Sequence, residues 1–181
     1  MRFEETEVQG AYRIDIAPFT DDRGSFARIF AVDEFEEHGL EARIVQSNLS
    51  VNHAAGTLRG LHLQRAPMEE TKLVRCVRGA LFDVVVDLRP DSPTYRRWAG
   101  VELSAANRRA LFVPRGCAHG FQTLVDDTEA IYDVSAPYSP EHEAGAHHAD
   151  PAFGIEWPLP VTSISDKDDA WPPFVSAEDR T

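Results

Sequence analysis

Between residues 72 and 134 the chain reads as a succession of short apolar-rich runs, each closed by a turn former. The run 72–78 mixes apolar and basic positions and stops at Gly79. The run 80–89 is dense in β-branched residues and stops at Pro90, and 97–103 and 109–113 have the same character before Pro114-Arg115-Gly116. Runs 121–125 and 129–134 flank Asp126-Asp127, which predicts a hairpin turn. Helix signals are sparse: Asp33 is placed to cap 34–38, with Gly39 at the left-handed C-terminal position. Prolines recur from Pro137 to Pro173, so the last third is expected to wrap the rest as loops and short turns. Short strands at regular spacing predict a mostly β sandwich or barrel with short peripheral helices. No repeat and no Pro- or Gly/Ser-rich linker interrupts the pattern, which predicts one domain over residues 1–181.

Composition narrows the partners. A chain of 181 residues can bury a core without disulfides or metal, and the two cysteines, Cys76 and Cys117, make no framework. The net charge of −12 disfavours a partner made of nucleic acid or anionic lipid. No apolar run is long enough to span a bilayer, and the acidic start Met1-Arg2-Phe3-Glu4-Glu5 is unlike a signal peptide, so a cytoplasmic protein is expected. Charge is uneven, however. Residues 56–78 carry five cations and two anions, whereas residues 133–181 carry two cations and ten anions. A basic island in an acidic chain suits a small anionic ligand better than a polymer.

Two segments carry the chemistry. Gly56 and His62 are separated by five residues, Lys72 and Gly79 by six, and Pro114-Arg115-Gly116-Cys117-Ala118-His119 has the form Pro-x-Gly-x-x-His. The spacings resemble the two motifs of cupins, which implies a cupin-type β-barrel, or jelly roll. Metal-binding cupins supply His-x-His and a Glu from the first motif. This chain has His62-Leu63-Gln64, with Lys72 near the Glu position. An ammonium has no lone pair to donate and repels a dication, so no metal is expected there.

A more specific resemblance runs over nearly the whole chain. Asp22-Arg23-Gly24-Ser25-Phe26, Gln46-Ser47-Asn48-Leu49-Ser50, Arg59-Gly60-Leu61-His62, Lys72-Leu73-Val74-Arg75, the stretches 79–87 and 114–121, Asp150-Pro151, Ile155-Glu156-Trp157-Pro158 and Ser165-Asp166-Lys167-Asp168 follow in family order. Together they resemble the RmlC-like dTDP-4-dehydrorhamnose 3,5-epimerases. The resemblance implies a cofactor-free epimerase acting on a nucleotide-linked 4-keto-6-deoxyhexose, at C3 and C5 or at C3 only, in deoxysugar biosynthesis. Such chemistry needs a base, a stabiliser of the enolate oxygen and an acid on the opposite face. By resemblance, His62 is the base, paired with Asp168, and Lys72 is the cation near the ketone. Tyr132 is the acid, with Tyr138 left as an alternative phenol. Arg23 and Arg59 match diphosphate positions, where a planar five-donor fork suits phosphate oxygens. Gln46, Asn48 and Glu143 match polar substrate positions, Phe26 an aromatic wall, and His119 a partner of the sugar. The family is generally a homodimer with some site residues supplied by the partner.

Each residue also has a plainer reading: His62 or His119 as a hydrogen-bonded structural imidazole, Lys72 as a solvent-facing strand lysine, Tyr132 as barrel wall. Cys117 is read as a packed thiol. Two departures from the family stand out. Arg28 replaces a usually acidic residue, and Ala144-Gly145-Ala146-His147 replaces an Arg-Gly-Ile-Arg-like run. They keep open a 3,4-ketoisomerase or a sugar-nucleotide-binding barrel without turnover; a metal-dependent cupin oxygenase is the remaining reading.

Overall fold

The computed structural model describes residues 1–174; of the single unit expected over 1–181, residues 175–181 lie outside the described residues. The elements are β1 (Arg2–Glu5), β2 (Tyr12–Asp15), β3 (Phe19–Asp21), β4 (Gly24–Phe26), α1 (Val32–Glu37), β5 (Gln46–Asn52), β6 (Leu58–Gln64), β7 (Lys72–Arg78), β8 (Ala80–Asp87), β9 (Trp98–Ser104), β10 (Ala110–Val113), β11 (Cys117–Thr123), β12 (Thr128–Val134), β13 (Glu143–Gly145) and α2 (Asp166–Asp169). Two antiparallel sheets form, in the orders β1-β2-β10-β7-β12-β5 and β13-β6-β11-β8-β9. The hairpin β3-β4 stands apart from both.

Period-2 alternation explains the layering. Val74 and Cys76 of β7 and Ala130 of β12 meet Leu81 and Val85 of β8 and Cys117 and Phe121 of β11 between the sheets. The opposite phase of the second sheet, Val84, Val86 and Ala118, is covered by Phe153, Ile155, Trp157 and Phe174 of the C-terminal wrap. Each such large apolar side chain stabilises the fold by about 1.5–3 kcal/mol when fully buried. The opposite phase of the first sheet, Leu73 and Phe112, packs under Phe35 of α1.

Two local expectations are corrected. Residues 117–123 and 128–134 are both strands, but they lie in different sheets, so Asp126-Asp127 is a crossing between layers and no hairpin. Asp127 takes φ +52° there, and the Asp126 carboxylate accepts from the Ala55 amide at 2.8 Å, tying the crossing to the chain before β6. Gly39 does take the left-handed position just past the His38 C-cap of α1, with φ +69°, yet the helix N-cap is Ala31 without a side-chain bond. Asp33 sits inside the first turn instead, where its charge still favours the helix dipole.

The C-terminal wrap is pinned to the second sheet by specific bonds. Buried Gln122 of β11 donates to the Leu159 carbonyl at 2.8 Å and accepts from the Leu159 amide at 2.9 Å. The Leu58 amide donates to the Ser163 carbonyl at 2.8 Å, beside a parallel bridge between Thr57 and Ser163. Two residues later Ser165 caps α2, its hydroxyl accepting from the Asp168 amide at 3.1 Å. No helix among the described residues is long and apolar enough to cross a membrane.

Candidate active site

Residues of both sheets line a cavity of about 500 Å³, of the size that small-molecule sites occupy. Its wall includes Gln46, Asn48 and Ser50 from β5, Arg59 and His62 from β6, Lys72 from β7, His119 and Phe121 from β11, and Tyr132 from β12; Tyr138, Glu143, Lys167 and Asp168 complete the rim.

Arg59 and His62 are three residues apart, so a regular strand would aim them at opposite faces. The pairing of β6 with β11 shifts register between the His119–His62 and Phe121–Arg59 pairs, inserting one extra residue into β6. That bulge turns both side chains into the cavity. Gly60 makes it feasible: its φ is +120°, and a Cβ there would stand 2.6 Å from Gly120 Cα and 2.8 Å from the His119 carbonyl oxygen. The glycine of Arg59-Gly60-Leu61-His62 is thus a steric requirement of the site.

His62 Nε2 lies 2.7 Å from Asp168 Oδ1, across 106 residues of chain, and the Gly60 amide donates to Asp168 Oδ2 at 3.1 Å. Burial works to raise the Asp168 carboxyl. The bond and charge of His62, the Gly60 amide and the Lys167 charge outweigh it and hold the group below the usual carboxylate range. A carboxylate at Nε2 fixes the proton there and leaves the lone pair on Nδ1, the arrangement of an oriented general base.

A second imidazole–carboxylate pair lies deeper. His119 Nε2 is 2.7 Å from Oδ1 of Asp83, a residue of zero exposure whose Oδ2 has no partner among the described residues. Burial drives the Asp83 carboxyl upward against the opposing charge and bond of His119. Lys72 is buried rather than solvent-facing and contacts Glu70. Tyr132 projects from the opposite sheet to His62; burial raises its phenol, while the charge of Arg59 works the other way. Tyr138 is 55% exposed and donates to Glu143 Oε2 at 2.9 Å, while Lys167 donates to Glu143 Oε1 at 2.5 Å. Arg59 is aimed by buried Asn52, whose Oδ1 accepts from Nε at 2.7 Å. Gln46 donates to Asn48 at 2.8 Å along the β5 wall.

Of the residues expected from the sequence, His62, Lys72, Tyr132, Asp168, Gln46, Asn48, Arg59, His119, Tyr138 and Glu143 all line this cavity. Arg23 and Phe26 do not. They lie on or beside the β3-β4 hairpin, Arg23 held by Asp21 at 2.6 Å and Phe26, 78% exposed, lining a second pocket together with Phe19 and Arg28. Asn52, Glu70, Asp83 and Lys167 went unassigned. Asp83 carried a readable signal, a carboxylate in phase with Leu81 and Val85 in an otherwise apolar run.

The cupin metal position has the wrong donors. Gln64 spends its amide on the chain, donating to the Met68 and Pro137 carbonyls at 2.8 and 3.2 Å and accepting from the Ser139 amide at 2.6 Å. With the Lys72 ammonium beside it, this donor set does not suit a cation. Cys117 is buried against Asp87, which pushes its thiol up to about 12 and leaves it an inert packed group.

Residues 5–176 match the family described as dTDP-4-dehydrorhamnose 3,5-epimerase. The chain belongs to that family. An enzyme of that description from Sinorhizobium fredii is 46% identical over 173 residues, covering 95% of this chain and 89% of the relative. The crystal structure of dTDP-4-dehydrorhamnose 3,5-epimerase from Bacillus anthracis, with TDP and PPi bound, superposes with a TM-score of 0.91 at 42% identity, covering 96% of this chain and 99% of that one. A 3′-monoepimerase from Streptomyces bikiniensis in complex with dTDP-quinovose has a TM-score of 0.86 at 35% identity, covering 94% and 87%. The family carries a cupin-type fold, which the two facing sheets match. This dTDP-4-dehydrorhamnose 3,5-epimerase family member is accordingly a carbohydrate epimerase of deoxysugar biosynthesis, acting on a nucleotide-linked 4-keto-6-deoxyhexose.

Proposed function

We propose that the cavity binds a dTDP-linked 4-keto-6-deoxyhexose and inverts C3, and C5 where the sugar can turn within it, by proton removal and return from opposite faces. The observation that carries this reading is the placement of His62 and Tyr132 on opposing sheets across one cavity, with His62 held by Asp168. His62 Nδ1 takes the proton next to the ketone. The Lys72 ammonium, kept in place by Glu70, and His119, oriented by Asp83, face the oxygen on which charge develops. Stabilising that charge in a partly dry pocket lowers the barrier more than the same groups would in water. Tyr132, kept protonated by burial, returns a proton from the far side. Its protonated state at neutral pH is the one an acid requires. Arg59 meets the diphosphate with its fork.

Arg23 and Phe26 are proposed to serve the cavity of a second copy. Their hairpin is detached from both sheets, carries Phe19 at 81% exposure and Phe26 at 78%, and presents a guanidinium that, among the described residues, is bound only within its own turn. A homodimer exchanging these hairpins would bury the aromatics and add a second cation to each diphosphate site. The sheets of residues 1–174, α1 and the C-terminal wrap pack against one another, and both sheets line the cavity, which supports reading the chain as a single catalytic unit. The two free, buried thiols fit a reducing, cytoplasmic setting.

Incubation with dTDP-4-keto-6-deoxyglucose in deuterated buffer tests the reaction. Deuterium at C3, or at C3 and C5, with inverted products by NMR, is the expected result. Carbonyl migration between C3 and C4 would establish a ketoisomerase instead. Tight dTDP binding with no exchange at either carbon would leave a binding protein.

A further inference from the structure

His147, His148 and Asp169 take no part in the cavity, yet their side chains converge. One donor atom from each lies within 4.8 Å of the others, and His147 Nε2 is 3.7 Å from Asp169 Oδ1. The two imidazoles stand 4.4 Å apart between ring centroids. His148 Nδ1 is buried with no hydrogen-bond partner among the described residues.

The backbones presenting these groups are fixed independently. Ala146, just before His147, exchanges two bonds with Leu61 at 3.1 and 3.2 Å. The His148 carbonyl accepts from Trp157 Nε1 at 3.0 Å, and the Asp150 amide donates to the His147 carbonyl at 3.1 Å. Asp169 ends α2, which is held by the Ser165 cap and by the Gly60–Asp168 bond. Loop and helix thus meet on the same Gly60–Leu61 segment of β6, and the three donors face one another at their junction. The nearest cation of α2, Lys167, is engaged by Glu143, and the surrounding stretch 133–181 is strongly acidic.

We propose that His147, His148 and Asp169 form a binding site for one late first-row divalent cation, zinc foremost, with water as the fourth ligand. Two imidazoles and a carboxylate are a tetrahedral zinc donor set, with metal–ligand distances near 2.0–2.1 Å and donors therefore roughly 3.4 Å apart. The His147–Asp169 separation is already close to that. Coordination through His147 Nε2 moves the ring proton to Nδ1 and releases the 3.2 Å bond accepted there from the Ala149 amide. The ion would cross-link the 147–148 loop to the helix carrying Asp168, a brace for the site rather than a participant in proton transfer. The site falls where the chain departs from the family run at 144–147.

The whole chain, stripped with chelator, is titrated with Co²⁺ and the visible absorption followed, then with Zn²⁺ in competition, with elemental analysis after dialysis. One zinc per chain, a tetrahedral Co²⁺ spectrum and a raised thermal midpoint with zinc are expected. Asp169→Asn and His147→Gln should each weaken binding at least tenfold, whereas His53→Gln should not. Circular dichroism reports whether each variant is folded. X-ray absorption of the zinc-loaded parent, expected to show two imidazoles, decides the matter without any variant. Absence of binding at 100 μM metal, affinity unchanged in both variants, or a shell with fewer than two imidazoles would overturn the site.

Discussion

His62 and Tyr132 divide the proposed reaction between two side chains, and the division can be read out separately. His62→Asn should abolish solvent exchange at the sugar carbons together with inversion. Tyr132→Phe should keep measurable exchange while net inversion drops by about 10²–10⁴-fold, the range typical of a lost general acid. Equal loss of both in the tyrosine variant would shift the acid to Tyr138 or to water. A different single residue governs acid stability. Asp87 has no exposed side-chain surface and accepts from Arg89, Ser92 (2.5 Å) and Thr94 (2.6 Å), closing the loop after β8. Burial pushes its carboxyl up, but these bonds prevail and lower it from 3.8 to about 2. A depressed carboxyl stabilises the fold above its unfolded pKa and loses that contribution as pH falls through the folded one, here about 2 kcal/mol lost between roughly pH 4 and pH 2. Urea midpoints of parent and Asp87→Asn should therefore differ clearly at pH 7 and converge near pH 2.

Strand β6 shows how an element can serve a site by being irregular. Gly60→Ala forces a side chain into positive-φ backbone and into the β11 backbone, and should destabilise by about 2 kcal/mol or more while disturbing both Arg59 and His62. A thermal midpoint equal to the parent's would show that the bulge relaxes freely. Lys167 joins α2 to β13 through Glu143. Because the lysine is half exposed, Lys167→Met should change stability by only about 0.5 kcal/mol. Its kcat should nevertheless fall several-fold, since Asp168 is the next residue; an unchanged kcat would make the pair a surface contact only. Strands β7 to β10 were legible from runs of β-branched residues between Gly and Pro stops. The Asp126-Asp127 crossing was misread because an acidic turn pair marks a reversal without saying which sheet receives the next strand. The Asp33 cap failed because local composition cannot distinguish the cap from the first turn.

At the level of the whole molecule, hairpin exchange makes a prediction that neither chain alone can satisfy. Arg23→Ala and His62→Ala should each yield dimers with little activity. Co-expressed, they should form mixed dimers in which one cavity has both residues intact, restoring about a quarter of parental activity for random pairing. Activity no higher than the mean of the two separate variants would place Arg23 outside its partner's site. Ten of the twelve residues assigned from the sequence meet in one cavity. Arg23 and Phe26 are the exception; the proposed homodimer would assign them to the partner's cavity, which a motif cannot state because it ties a residue to a reaction and not to a copy of the chain.

The sequence alone determined the sheet-forming runs, the basic island around His62 and Lys72, and the family, since these depend on residue order and short-range pattern. Only the tertiary structure decided that Arg59 and His62 share a face, because a one-residue bulge reverses strand phase. The resemblance pairs Asp168 with His62, but only the tertiary structure shows the 2.7 Å contact that joins them across 106 residues, and the burial of Asp83 beneath His119. The convergence of His147, His148 and Asp169 was equally invisible in order, since loop and helix meet only by docking on the same strand. Long-range contacts of this kind follow from packing, where spacing along the chain carries no information.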